Sequence, residues 1–342
     1  MGTGVFRRAR TACVAALSVA VLATASLCVG APAAGAEPVS HLTGVEDDGA
    51  RAVTARVYSA SMDRVIPVRV LLPANATDTS APRPTLYLLN GAGGGKTDAT
   101  WQANTDVTEF FSDKNVNVVT PMDGAASYYT DWERDDPVLG RNKWQTFLTR
   151  ELPPIIDAEF GGNGTNSIAA ISMTATSVLN LAIAAPGLYK AVGSYSGCAE
   201  TSSPMGAAFV DLVVRSSGGA DPQNMWGPVG GPGWIANDPV VNAEKLRGTT
   251  LFVSSGSGLP GEYDNLGAPG VDGDLKDFAR QVIVGGAIEA ATNVCTHNLA
   301  NRLRELDIPA TFDFAPTGSH SWLYWQDDLH ESWPLLAGAM GI

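Results

Sequence analysis

The segment Pro84-Thr-Leu-Tyr-Leu-Leu-Asn90 is a nearly continuous apolar run. A strand with one wet face alternates apolar and polar residues, so an unbroken run reads as a strand buried on both faces. Such a strand needs layers covering it above and below. Similar short runs recur at Val68 to Leu72, just after Pro67, and at Val116 to Thr120, Ser167 to Ser172, Ala191 to Ser194, Thr249 to Ser254 and Ala310 to Phe314. Helical patterns lie between them. Lys143 to Phe160 is amphipathic, with a break expected near Pro153-Pro154; Met173 to Ala185 ends at Pro186; Asp274 to Leu306 is mostly helical. Alternating strands and helices predict an α/β architecture, a mostly parallel central sheet with helices on both faces. Sites in such sheets form beyond the carboxyl ends of the strands.

The N-terminus reads differently. Arg7, Arg8 and Arg10 precede an Ala/Val/Leu-rich stretch from Thr11 to Val29, and Ala34-Gly35-Ala36 fits the small-x-small cleavage rule. Residues 1–36 are expected to be a secretory signal cleaved after Ala36, leaving 37–342 as one domain. An N-terminal anchor is the alternative, but the apolar run is short. Removal takes away three arginines and no acids, so the remainder is more acidic than the whole chain's −13. That balance excludes a general nucleic-acid binder, which needs a basic face. Export also places the remaining cysteines, Cys198 and Cys295, in an oxidising setting, where a disulfide is expected.

No C-x-x-C pair or H-E-x-x-H run is present, and no metal or cofactor is expected. Gly91-Ala-Gly-Gly-Gly95-Lys96-Thr97 resembles a phosphate loop only superficially. It lacks the four-residue spacer before Gly-Lys, and it reads instead as a turn whose backbone N–H groups face a site.

The strand Ser167 to Ile171 runs into Ser172, and a helix follows at once. Strand–Ser–helix is the context of a nucleophile elbow, although Ala170 and Thr174 stand where glycines are usual. The alternative role for Ser172 is an N-cap. A serine nucleophile needs a histidine base. Of four histidines, His41 precedes the sheet, His297 lies in a helical stretch and His330 lies in an acidic tail. His320, in the small-residue loop Pro316-Thr-Gly-Ser-His-Ser-Trp322, follows the last strand and fits the chain order of such triads best. For the third member, Glu262, Asp264, Asp272, Asp274, Asp277 and Glu289 all lie in the right interval, and pattern does not choose.

Several segments, in order, resemble the antigen 85 family of mycolyltransferases, secreted α/β-hydrolases of mycolate-bearing actinobacteria. They are Leu88-Leu-Asn-Gly91, Ser127-Tyr-Tyr-Thr-Asp-Trp132, Lys143-Trp-Gln-Thr-Phe-Leu-Thr-Arg-Glu-Leu-Pro153, Ile171-Ser-Met173, Met225-Trp-Gly-Pro228 with Trp234 and Asn237-Asp-Pro239, and Gly318-Ser-His-Ser-Trp322 with Tyr324-Trp325. The resemblance implies the α/β-hydrolase fold and acyl transfer between trehalose esters and sugar acceptors. It implies Ser172 as nucleophile, His320 as base and Glu289 as acid. It also implies an oxyanion hole from the backbone N–H groups of Ala92 and Met173. Asn90, Trp101, Asn104 and Trp322 are the implied substrate contacts.

Expected partners are trehalose mono- and diacyl esters, cell-wall polysaccharide acceptors and the lipid surface of the envelope. The family aspartate and arginine beside the first Gly-rich turn are replaced by Asn90 and Gly93, and the family's short cysteine loop is missing between Glu133 and Asn142. A secreted carboxylesterase of the same fold, or a silent binding paralogue, are the competing readings. Gly256 to Gly273 is expected to be a lid or cleft wall, with an inert surface loop as the alternative.

Overall fold

The computed structural model describes residues 38–74 and 82–342. The expected leader, residues 1–36, lies outside the described residues. Among the described residues nine strands form one sheet: β1 His41–Gly49, β2 Ala52–Ser59, β3 Arg64–Leu71, β4 Arg83–Leu89, β5 Asn117–Pro121, β6 Gly162–Ile171, β7 Tyr189–Tyr195, β8 Thr250–Ser255 and β9 Thr311–Phe314. Their order is β1-β2-β3-β5-β4-β6-β7-β8-β9. β5, β4, β6, β7, β8 and β9 run parallel; β1, β2 and β3 join antiparallel at one edge.

The apolar strands behave as their composition requires. Every residue of β4 and β5 is buried. Successive side chains enter opposite layers. Tyr87 and Leu89 of β4 and Ile168 and Ala170 of β6 pack on one face with the helix Ser172–Ala184; Leu86, Leu88, Ala169 and Ile171 pack on the other with the helix Trp322–Met340. That period-two division places a core on each side of the sheet.

Three sequence expectations need correction. β1 and β2 were not legible as strands; β1 carries Thr43, Glu46, Asp47 and Asp48, lies mostly exposed and pairs only along one side. β3 begins at Arg64 and runs through Pro67. The Pro67 carbonyl accepts from Met122 N (2.8 Å), just past Val68 and Pro121, the last paired residues of β3 and β5. Proline cannot return the reciprocal bond, so it sits where the β3–β5 ladder ends and costs at most one terminal bond. Finally, Pro153 and Pro154 do not break the helix. A π-type turn over Phe147–Glu151 lets the Leu152 N–H reach the Phe147 carbonyl, and the prolines occupy the first positions of Leu152–Phe160, where absent N–H groups cost little.

Candidate active site

Five strand ends converge on one point. β4 leads into Asn90-Gly91-Ala92, β6 into Ser172, β7 into Ser196, β8 into Ser255-Gly256, and β9 into the loop carrying His320. All lie at carboxyl ends, where the parallel sheet places its sites.

Ser172 has φ of +56°, the left-handed region that a residue with a Cβ rarely adopts. The strain is held by burial on both sides. Ala170 is fully buried in β6, and Thr174 is fully buried in the first helical turn. The turn thus forms without its usual glycines. Its result is a hydroxyl projecting from the junction between strand and helix.

Ser172 Oγ lies 2.8 Å from His320 Nε2, and His320 Nδ1 lies 2.7 Å from Glu289 Oε2. Glu289 is buried, on the helix Gly286–Glu305, and its other oxygen accepts from Gly256 N (2.7 Å), Ser196 Oγ (2.8 Å) and Ser255 Oγ (3.1 Å). Trp325 Nε1 donates to Ser196 Oγ at 3.0 Å, and the Trp325 ring meets the His320 ring edge-on at 4.9 Å. The carboxylate is therefore saturated and aimed, which fixes the ring orientation of His320.

Geometry also separates the other candidates. Glu262, Asp272, Asp274 and Asp277 are exposed, and Asp264 is buried but bonded elsewhere. His41 bonds the Val39 carbonyl, His297 stacks on Phe314, and His330 stacks on Phe110 and pairs with Asp106. Ser196, Ser255, Gly256 and Trp325 were not read as site residues from sequence. Their signal was position: the first three sit where β7 and β8 end.

The Gly91–Thr97 turn passes beside the serine. A Cβ at Gly91 would sit 3.6 Å from that of Ser172, so the turn runs directly past the serine. Met173 is the second residue of its helix, where the N–H has no intrahelical acceptor. At Gly94 and Gly95 (φ +61° and +81°) a Cβ would strike Ala125 N at 2.4 Å and Asn90 Nδ2 at 2.7 Å, so only glycine closes this turn. Lys96 pairs with Asp123 at 2.6 Å.

Two expected substrate contacts are corrected. Asn90 is fully buried: Oδ1 accepts from Trp101 N (3.1 Å), and its backbone carbonyl lies 2.8 Å from Thr174 Oγ1. Trp101 is also fully buried, donating from Nε1 to the Leu89 carbonyl (2.9 Å), with its ring edge-on to Tyr195 and Trp322. The chain folds back over both residues, so they hold the turn in place rather than meet a ligand. Asn104 and Trp322 do reach a cleft of ≈ 580 Å³, with Tyr263, Pro269, Gly270 and Gln281 on its opposite wall. A second cleft of ≈ 360 Å³ links Trp322 to His320 beneath Arg280, Gln281 and Val284. The segment after Gly256 is thus a cleft wall. Against Ser172 and His320 lies a smaller, apolar pocket of ≈ 50 Å³, lined by Met173, Phe209, Val210, Val213 and Ile288.

Cys198 and Cys295 form the expected disulfide. It ties the loop after β7, two residues beyond Ser196, to the helix that carries Glu289. Thr296 Oγ1 to the Gly197 carbonyl (3.4 Å) and Asn298 Nδ2 to Glu200 Oε2 (3.0 Å) join the same two elements. Among the described residues no helix is long and apolar enough to cross a membrane.

The chain matches the model of a family described as "Putative esterase" over residues 59–336. It is 33% identical over 300 residues to the diacylglycerol acyltransferase/mycolyltransferase Ag85A of Mycobacterium tuberculosis, covering 84% of this chain and 80% of that protein. The chain belongs to the antigen 85 family of mycolyltransferases. A second member, Ag85B of Mycobacterium intracellulare, is 32% identical over 296 residues, covering 84% of this chain and 82% of that one. Among solved structures, MPT51 (FbpC1) of Mycobacterium tuberculosis has 27% identity and a TM-score of 0.66, covering 83% of this chain and 97% of that chain. An S-formylglutathione hydrolase from Agrobacterium tumefaciens, at 14% identity and TM-score 0.59 over 88% of this chain and 99% of that one, shares the fold. The sheet described above is thus the α/β-hydrolase sheet of an antigen 85 family member.

Proposed function

We propose that this chain is a serine acyltransferase that moves long-chain acyl groups, of the mycolyl type, between trehalose esters and sugar acceptors of the cell envelope. The single observation that supports it best is the Ser172–His320–Glu289 relay, at 2.8 Å and 2.7 Å, with His320 lining both an apolar pocket and the cleft that leads to Trp322. The apolar pocket suits the acyl carbons next to the ester, and the cleft a sugar.

Ser172 Oγ attacks the ester carbonyl while His320 Nε2 takes its proton. The Oγ–acyl bond forms, the bond from the carbonyl carbon to the sugar oxygen breaks, and His320 returns the proton to the departing alcohol. In the second half a sugar hydroxyl gives its proton to His320 and attacks the acyl carbon; the new sugar–acyl bond forms, the Oγ–acyl bond breaks, and His320 returns the proton to Ser172 Oγ. The backbone N–H groups of Ala92 and Met173 stabilise the oxyanion in each half; one such donor is typically worth about 10²–10³-fold in kcat. Glu289 keeps the imidazole in the required tautomer and stabilises the imidazolium. Transfer wins over hydrolysis when the acceptor is bound and oriented, and Trp322 and Asn104 are the residues we assign to that task.

The reading extends to location. Residues 1–36 are a leader removed after Ala36, and 37–342 are a single catalytic domain acting at the envelope. Incubation of residues 37–342 with a trehalose monoester of a long-chain acid tests the function. Trehalose diester is the expected product; free acid alone would mark a carboxylesterase instead.

A further inference from the structure

The segment between Gly256 and Gly285 walls the clefts beside His320. Within it Asp264 is buried, whereas Glu262, Asp272, Asp274 and Asp277 are exposed. Asp264 has four donors. Oδ1 accepts from Ser319 Oγ and from Gln281 Nε2 (2.8 Å); Oδ2 accepts from Gly261 N (2.9 Å) and Tyr324 Oη (2.8 Å). They come from four places: its own loop, the π-type turn Arg280–Gly285, the residue before His320, and the first turn of the helix Trp322–Met340. Burial alone would raise its pKa. The hydrogen bonds, Ser319 foremost, outweigh that and hold it below the ordinary carboxylate range, so it is a charged hub.

The surfaces joined by this hub fit without slack. Gly258 N donates to the Gly318 carbonyl (2.9 Å), Gly318 N to the Leu259 carbonyl (2.8 Å), and His320 N to the Gly285 carbonyl (3.3 Å). A Cβ at Gly261 would lie 2.6 Å from Tyr324 Oη and 2.7 Å from Thr317 Oγ1. The loop bearing His320 is therefore clamped between the two ends of the cleft wall. Gln281 and Tyr263, which line the cleft, meet the same hub: Gln281 Nε2 also donates to the Tyr263 carbonyl (3.0 Å).

We propose that Asp264 is a positioning residue that holds the His320 loop and the acceptor-side wall of the cleft as one unit. It touches no reacting atom. It sets where His320 Nε2 stands relative to Ser172 and keeps the wall closed over the acyl-enzyme. The inference rests on the acyl-enzyme reading above. A small displacement of a catalytic group costs up to about 10²-fold, so loosening this hub registers in rate before it registers in folding.

The test compares wild type, Asp264→Asn, Ser319→Ala and the double variant on a short-chain p-nitrophenyl ester, with trehalose as acceptor. A fluorophosphonate titrates active sites, so kcat counts only competent molecules. Asp264→Asn is expected to lower kcat per titrated site about ten- to hundredfold with KM little changed, and to raise free acid relative to acyl-trehalose. Ser319→Ala moves both readouts the same way, and the double variant is less than additive. Wild-type kcat per site and wild-type product ratio in Asp264→Asn would overturn the proposal, as would a loss confined to melting temperature or titratable sites. If Asp264→Asn does not fold, Ser319→Ala decides on the same readouts. Wild type that cleaves the ester but makes no acyl-trehalose contradicts the transfer reading alone, and the kcat comparison still tests Asp264.

Discussion

Thr174 Oγ1 lies 2.8 Å from the carbonyl oxygen of Asn90 and 2.8 Å from that of Ile171. One hydroxyl thus bridges the strand end before the Gly-rich turn and the strand end before the nucleophile. This explains how an elbow can dispense with glycine two residues after Ser172. The threonine occupies the space and uses its hydroxyl to pin the two segments that frame the serine. Thr174→Val keeps the shape and removes the one proton that this hydroxyl shares between the two carbonyls. It is expected to cost about 1–3 kcal/mol of stability and to lower kcat, measured by denaturant melts and ester turnover.

Ser172→Ala should remove the nucleophile without disturbing the fold. Activity is expected to fall by about 10³-fold or more while the melting temperature stays near wild type. Unchanged turnover would place the chemistry elsewhere.

Glu289→Gln tests the far end of the relay. The amide fits the same space but can present a donor to His320 Nδ1, favouring the wrong tautomer. A loss in kcat approaching 10⁴-fold, with a preserved fold, is expected. Ser196→Ala, which removes one donor to the same carboxylate, should cost much less.

The disulfide closes a separation of 97 residues. In the chain-entropy picture, loss of such a cross-link costs roughly 4–5 kcal/mol. Replacing Cys198 and Cys295 together by serine should lower the melting temperature and also lower kcat, because the cross-linked helix carries Glu289. Alkylation with mass measurement checks the bond: thiols should appear only after reduction.

Acid stability follows from Asp264. Its folded pKa lies below its unfolded value, so its contribution is present above about pH 4 and is lost as pH falls through the folded pKa. Below pH 4 the melting temperature of wild type should fall more steeply with pH than that of Asp264→Asn. Parallel acid limbs would contradict the assignment.

The apolar pocket beside Ser172 is narrow, so filling it should change acyl preference more than turnover of short esters. Val213→Phe is expected to exclude longer chains first, raising their KM while acetyl esters react normally. Competition between esters of graded length measures this.

Much of this architecture was legible in the residues. Apolar runs marked β4 to β8 because a parallel sheet buries both faces of its strands; β9, at the far edge, is only half-buried. Ser172 and His320 stood where such strands end. Glu289 was not separable by pattern from five other carboxylates; burial and a 2.7 Å contact with His320 distinguish it. Asn90 and Trp101 looked like ligand contacts because family position says nothing about exposure, and both are sealed by the turn that folds over them. β1 leaves no pattern because a polar edge strand has no hydrophobic period to read, and β2 offers only the short alternation Ala55, Val57, Ser59. Asp264 and Ser196 act through side-chain bonds to residues far away in sequence, which no local pattern records.

The most direct test is to trap the intermediate. Residues 37–342 would be mixed with a trehalose acyl ester, quenched with acid within a turnover and mapped by peptide mass. The account predicts one acyl group on the peptide containing Ser172, which disappears when trehalose is added as acyl-trehalose is formed. Turnover with no acyl group on Ser172, or an acyl group on another residue that forms and decays at the rate of turnover, would contradict it.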